Sequence, residues 1–188
     1  AGGVTPVQMA GAYAVVANGG YKVSPYLVSK ITDSEGKIIA QAKPDTAADE
    51  ANRVIDERNA FLMDSMLRDV VRFGTATKAL SLKRPDIAPK TGTTNDSIDA
   101  WFAGYQSKIV GVAWMGYDQP RNLGNRETGG GLALPIWISY MQRALRDIPI
   151  MERPIPNGII QAEGDYFYVE NPPGSVPRAL NADEVIIE

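Results

Sequence analysis

At 188 residues, 44% hydrophobic and 22% charged, the chain has the composition of one domain with a sizeable core. It contains no Cys and no His, which excludes a thiol nucleophile, a disulfide, an internal Ser-His-Asp triad and any zinc site but an all-carboxylate one. The net charge of −3 conceals an asymmetry, since residues 147–188 carry eight acids against two bases, and no basic stripe with interleaved aromatics predicts nucleic-acid binding.

Thr5-Pro6-Val7-Gln8 has the layout of a capping box, with Thr5 at N-cap, Pro6 at N1 and Gln8 at N3. It predicts a helix ended by Asn18-Gly19-Gly20. Tyr26 to Ile31 and Lys37 to Ala40 read as two strands of a hairpin with its loop at 32–36. Residues 41–53 are polar and predict a mobile surface excursion. A long helix follows from Asp56 to Phe73, with Leu62, Met63, Met66, Leu67, Val70 and Val71 as its expected buried stripe. Arg68, Asp69 and Arg72 fit a solvated face, and Lys83-Arg84 a solubilising turn.

Residues 88–94, 99–105 and 109–117 predict three strands joined by short connections, hence an antiparallel meander. The last is almost wholly apolar and is expected to be covered on both faces. Trp101 of the second strand and Trp114 of the third read as core, with a place near the cleft as the alternative. Gly129-Gly130-Gly131 reads as a flexible helix entry. A helix from Pro135 is expected to bury Ile136, Trp137, Tyr140, Met141, Ala144 and Leu145 on the sheet. From Pro149 onward six prolines and the acidic excess predict an extended strap with one small hairpin, Gly158–Ala162 against Tyr166–Val169. The fold class is α+β: an antiparallel sheet flanked by helices.

The chemistry gathers at Lys90-Thr91-Gly92-Thr93-Thr94. Side chains alternate along a strand, so Thr91 and Thr93 share one face while Lys90 and Gly92 project on the other. Two hydroxyls about 6–7 Å apart can reach one small anion such as a carboxylate. Lys90 supplies positive charge or a proton path, and Gly92 lets a ligand approach closely.

The triplet is weak alone. Followed by Asp99-Ala100-Trp101-Phe102-Ala103-Gly104-Tyr105, it resembles the third and fourth strands of the penicillin-binding protein transpeptidase domain, whose third motif is Lys-Thr-Gly. Thr5 to Tyr21 and Gly130 to Trp137 resemble segments of class A bifunctional members, of the Gram-negative 1A type. The likeness runs through residues 5–21, 61–80, 88–117 and 130–145. It implies that residues 1–146 are the C-terminal portion of the transpeptidase domain, an incomplete part of the serine β-lactamase and D,D-transpeptidase fold, with 147–188 as an extension.

The activity implied is peptidoglycan cross-linking by serine acyl transfer on D-Ala-D-Ala stem peptides, which β-lactams block. Carried over residue by residue, Lys90 polarises the site and joins the proton relay. Thr91 and Thr93 hold the substrate carboxylate, the Thr93 amide is an oxyanion donor, and Gly92 tolerates no bulk. No cofactor or metal is implied. The family also needs a Ser-x-x-Lys and a Ser-x-Asn upstream. Ser24, Ser29, Ser34, Ser65 and Ser81 precede Lys90, and none is expected to be the nucleophile. With Ala1-Gly2-Gly3 opening in mid-domain, the nucleophile is expected from a preceding segment of a parent chain. The resemblance places that parent on the periplasmic face of the bacterial inner membrane, with its anchor and glycosyltransferase domain elsewhere. A D,D-carboxypeptidase or β-lactamase relative, or a non-catalytic wall-peptide or partner-binding module, are the alternatives.

Overall fold

The structure is a computed structural model that describes residues 3–46, 49–125 and 127–174. The capping box forms as predicted. Thr5 Oγ1 accepts from the Gln8 amide at 3.2 Å, and the Thr5 amide donates to Gln8 Oε1 at 2.8 Å. It opens α1, Pro6–Ala17. The hairpin is shorter than expected: only β1, Lys30–Thr32, and β2, Ile38–Gln41, pair. Its turn is set by Asp33, whose carboxylate accepts from the Glu35 and Lys37 amides. The excursion after it is tied down at its far end, where Arg53 and Tyr21 both reach Glu50 and a β-bridge joins Tyr21 to Arg53. The Arg53 guanidinium and the Tyr21 hydroxyl hold the Glu50 carboxyl down to about 2.

The long helix is α2, Glu57–Arg72, capped by Asp56. Its buried stripe differs from the expected one: Ala60, Phe61, Asp64 and Val71 are buried, whereas Met63 and Met66 are exposed. A carboxylate in the middle of the true stripe hides it from a hydrophobicity pattern. Asp64 is satisfied there by the Tyr105 hydroxyl at 2.9 Å and by Arg68 at 2.7 Å, so Arg68 is a core partner rather than part of a solvated face. Burial, and the Asp64 carboxylate it faces, push the Tyr105 hydroxyl far above its usual value.

The predicted meander is present as β3, Ala88–Thr93, β4, Ala100–Gln106, and β5, Ile109–Met115, in that order and antiparallel. Register places Gly92 opposite Trp101, and Trp101 opposite Trp114. The central helix from Pro135 is α3, Leu134–Ala144. It lies on one face of the sheet, where Trp137 packs at a tilt against Phe102, ring centroids 5.0 Å apart, and donates to the Gly111 carbonyl at 3.0 Å. Gly104 and Gly111 sit opposite each other and leave room for that indole. Leu134, Trp137 and Met141 are its buried residues, followed by buried Leu145 at its C-cap, while Ile136 and Tyr140 are exposed, because one sheet face covers only a narrow stripe of the helix. α1 and α2 occupy the other face, with Tyr13 edge-on to Tyr105. Cover is therefore complete around Phe102 and Tyr105 but stops short of the strand ends, which leaves Trp114 exposed on β5.

Arg84 is no solubilising turn. It forms a two-pronged ion pair with buried Asp86 and donates to the Ile148 and Pro149 carbonyls. Asp86 also receives the Gln106 side-chain amide and the Met151 backbone amide, binding the sheet to the segment beyond α3. That segment carries the predicted hairpin as β6, Ile159–Ala162, and β7, Asp165–Tyr168. Tyr166 packs edge-on against Phe61, Arg58 stacks on Tyr168, and Arg58 pairs with Glu170 at 2.8 Å. The strap is thus docked along α2; its last residues lie outside those described. Among the described residues no helix is long and apolar enough to cross a membrane.

Candidate active site

Strand β3 is an edge strand, hydrogen-bonded to β4 alone among the described residues. The Thr94 amide donates to the Asp99 carbonyl, toward the sheet, at 3.1 Å. Peptide groups of neighbouring residues in a strand point to opposite sides. The amides of Thr93 and Thr91 therefore aim at the open edge, and so does the position of Pro89, which has no amide to donate. An edge of this kind exposes donors with nothing to bond to.

Lys90 leaves the face that alternation gives it and curls around the edge. Its Nζ lies 3.0 Å from the Thr91 carbonyl oxygen and 3.4 Å from Thr91 Oγ1. Thr93 Oγ1 accepts from the Gly129 amide at 3.1 Å, which leaves its own proton free for an incoming acceptor. Gly129 is no flexible entry. It presses on the sheet so tightly that a Cβ there would lie 2.2 Å from the Trp101 carbonyl oxygen and 2.5 Å from that of Gly92. The adjoining helical turn, Gly129–Ala133, is capped by Thr128, which accepts from the Gly131 amide. Gly92 is also confined, since an added Cβ would sit 3.1 Å from the Cβ of Trp101.

A cleft of about 640 Å³ opens at this end of the sheet, between Gly92, Thr93, Thr94, Asp99, Trp101 and Trp114 on one side and Gly3 to Pro6 and Met9 on the other. The two tryptophans belong to the cleft wall, the alternative to the core position preferred for them. Their ring centroids are 6.0 Å apart, and Trp114 Nε1 donates to Asp99 Oδ1 at 2.8 Å. Of the four residues singled out in the sequence, Gly92 and Thr93 line this cleft, while Lys90 and Thr91 lie along the outer edge beside it. The turn from β3 to β4 puts Asp96 and Ser97 at positive φ of 59° and 49°, a left-handed pair that non-glycine residues rarely adopt. Leu123 and Asn122 pin it by hydrogen bonds to the Ser97 and Asp96 carbonyls.

A literal Ser-x-x-Lys spacing does occur, at Ser34-Glu35-Gly36-Lys37, so spacing alone does not dismiss the upstream serines. The structure does. Ser34 lies in the exposed β1–β2 turn, in a separate two-stranded sheet. Serine chemistry assisted by lysine needs the pair on one helical turn, facing a common cleft.

An antiparallel sheet with helices on both faces and Lys-Thr-Gly on its open edge defines an α+β fold of the serine β-lactamase and D,D-transpeptidase kind. The model of the penicillin binding protein transpeptidase domain matches residues 2–139. Penicillin-binding protein 1A of Neisseria lactamica is 45% identical over 170 residues, which are 90% of this chain and 21% of that protein. The structure of penicillin-binding protein 1A from Haemophilus influenzae is similar, at 34% identity and a TM-score of 0.77, over 84% of this chain and 28% of that one. Penicillin-binding protein A from M. tuberculosis, solved as an imipenem acyl-enzyme complex, is 26% identical with a TM-score of 0.55, over 76% of this chain and 31% of its own. The chain belongs to the penicillin-binding protein transpeptidase family. It spans about a fifth of the length of the curated relative it matches.

Proposed function

We propose that this chain supplies the Lys-Thr-Gly side of a peptidoglycan-cross-linking D,D-transpeptidase site. The observation that carries the reading is the open edge of β3, where the Lys90 ammonium and Thr91 hydroxyl lie beside a cleft that Thr93 lines, with the Thr93 amide directed away from β4. Residues 1–146 are then the C-terminal portion of the catalytic domain, and 147–188 an extension that straps it.

A serine from a preceding segment attacks the penultimate D-Ala carbonyl of a stem peptide. Negative charge gathers on the carbonyl oxygen, and the outward Thr93 amide donates to it. Thr91 and Thr93 donate their hydroxyl protons to the terminal carboxylate, and Lys90 lowers the energy of both anions while joining the proton relay. The C–N bond breaks, D-Ala leaves with the proton, and the acyl-enzyme passes to an amine of a neighbouring stem. β-Lactams present a carboxylate and a reactive carbonyl in the same relation and acylate the same serine. Support comes from the fold shared with a protein solved as an imipenem acyl-enzyme. The parent is placed at the periplasmic face of the inner membrane, its anchor and glycosyltransferase domain lying outside this chain.

Fluorescent penicillin tests this on the longer chain that carries the preceding segment. A covalent adduct that survives denaturation is expected. Absence of an adduct, under conditions that label a relative, contradicts the enzymatic reading.

A further inference from the structure

One hydroxyl at this edge comes from an element that no motif marks. Thr75 lies three residues beyond the end of α2, and its Oγ1 is 2.6 Å from Thr91 Oγ1. That is at the short end for a hydroxyl–hydroxyl bond. Its position is firmly set: the Gly74 and Ala76 amides both donate to the Val70 carbonyl, and the methyl of Ala76 is fully buried. Thr75 itself is exposed, so its hydroxyl reaches solvent on one side and Thr91 on the other.

A hydroxyl has one proton and two lone pairs. In the free site either threonine can be the donor. A bound carboxylate removes that freedom, because it only accepts. If Thr91 gives its proton to Thr75, nothing remains for the anion. If Thr75 donates, Thr91 is committed to the ligand, and each bond in the chain polarises the next. The Gly129 amide does the same for Thr93, filling an acceptor position and leaving the proton outward.

We propose that Thr75 is a positioning residue for the substrate carboxylate: its hydroxyl donates to Thr91 and so directs the Thr91 proton onto the bound anion. This rests on the assignment of Thr91 to the carboxylate. Thr75 touches no reacting atom. It acts through Thr91, and its effect exists only for ligands that carry the negative charge.

The test compares acylation of the longer chain by a β-lactam and by the methyl ester of the same β-lactam, in Thr75→Val, Thr75→Ser and Thr91→Val. Thr75→Val is expected to slow acylation by the acid about three- to tenfold, the size of one net hydrogen bond, and to leave the ester rate unchanged. Thr75→Ser is expected to keep the acid rate. Thr91→Val is expected to lose on the acid alone. A Thr75→Val loss equal on acid and ester, or no loss on either, overturns the proposal. If Thr91→Val loses equally on both ligands, the carboxylate assignment itself falls. If it loses on the acid alone while Thr75→Val does not, only the role of Thr75 falls. The acid-to-ester ratio is read within each variant, so a drop in stability cannot imitate the result.

Discussion

Replacing Thr93 by proline is expected to slow acylation of the longer chain by a further factor of about 10²–10³ relative to Thr93→Val, the loss that follows removal of one oxyanion donor. Valine deletes the hydroxyl and keeps the amide; proline deletes both. The comparison isolates the amide because the ladder to β4 does not use it. The Thr94 amide is the one that turns inward, and the strand already carries a proline at position 89, on the same outward parity. The melting temperature is therefore expected to change little between the two variants. Equal acylation rates in Thr93→Val and Thr93→Pro would remove the amide from the mechanism.

The largest loss of stability is expected at Asp86, far from the cleft. Asp86→Ala leaves a nearly buried Arg84 guanidinium without its counter-charge, and strips the Gln106 amide and the Met151 N–H of their acceptor. Breaking one partner of a buried pair costs about 3–5 kcal/mol. The sign with pH follows from the carboxyl. Burial pushes its pKa up, but the Arg84 guanidinium, the Met151 amide and Gln106 outweigh burial and hold it below the usual carboxylate range. A carboxyl whose pKa is lowered by folding contributes stability above its unfolded value of about 3.9, and loses it as pH falls through the lower folded value. Thermal melts from neutral pH downward are expected to show a steep loss in this acid range for the native sequence and a shallower one for Asp86→Ala. Parallel curves would mean that Asp86 is not the clasp described.

Local signals carried most of the architecture. The Thr5 and Gln8 capping box, the Asp56 start of α2, the three-strand meander and the β6–β7 hairpin are each written in a few adjacent residues, and each forms where expected. What stayed hidden depends on long-range pairing. Asp64 broke the helical stripe because its partner Tyr105 lies 41 residues away, and Arg84 read as surface because Asp86 takes its other partners from β4 and from beyond α3. Hydrophobicity alone put Trp101 and Trp114 in the core. The helices stop before the strand ends, so the indoles face a cleft instead.

The candidate site was legible as a motif on a binding edge, but not in how its side chains are held. Alternation placed Thr91 and Thr93 together, and gave no hint that Lys90 folds round to the same side. Nor did it reveal Thr75 and Gly129, which support those hydroxyls from other parts of the chain. Gly129 carried a signal in its triple glycine, which reads as flexibility until the close approach to Gly92 and Trp101 is seen. The serine motifs belong to a preceding segment on this account, and Ser34-Glu35-Gly36-Lys37 shows how a bare spacing can arise in an exposed turn.

The most direct test is a crystal structure of the longer chain acylated by a carboxylate-bearing β-lactam. The ligand carboxylate is expected within about 3 Å of both Thr91 Oγ1 and Thr93 Oγ1, with the acyl oxygen at the same distance from the Thr93 amide. An acyl group bound with its carboxylate away from β3, and its carbonyl oxygen held by other donors, would contradict the proposed use of this edge.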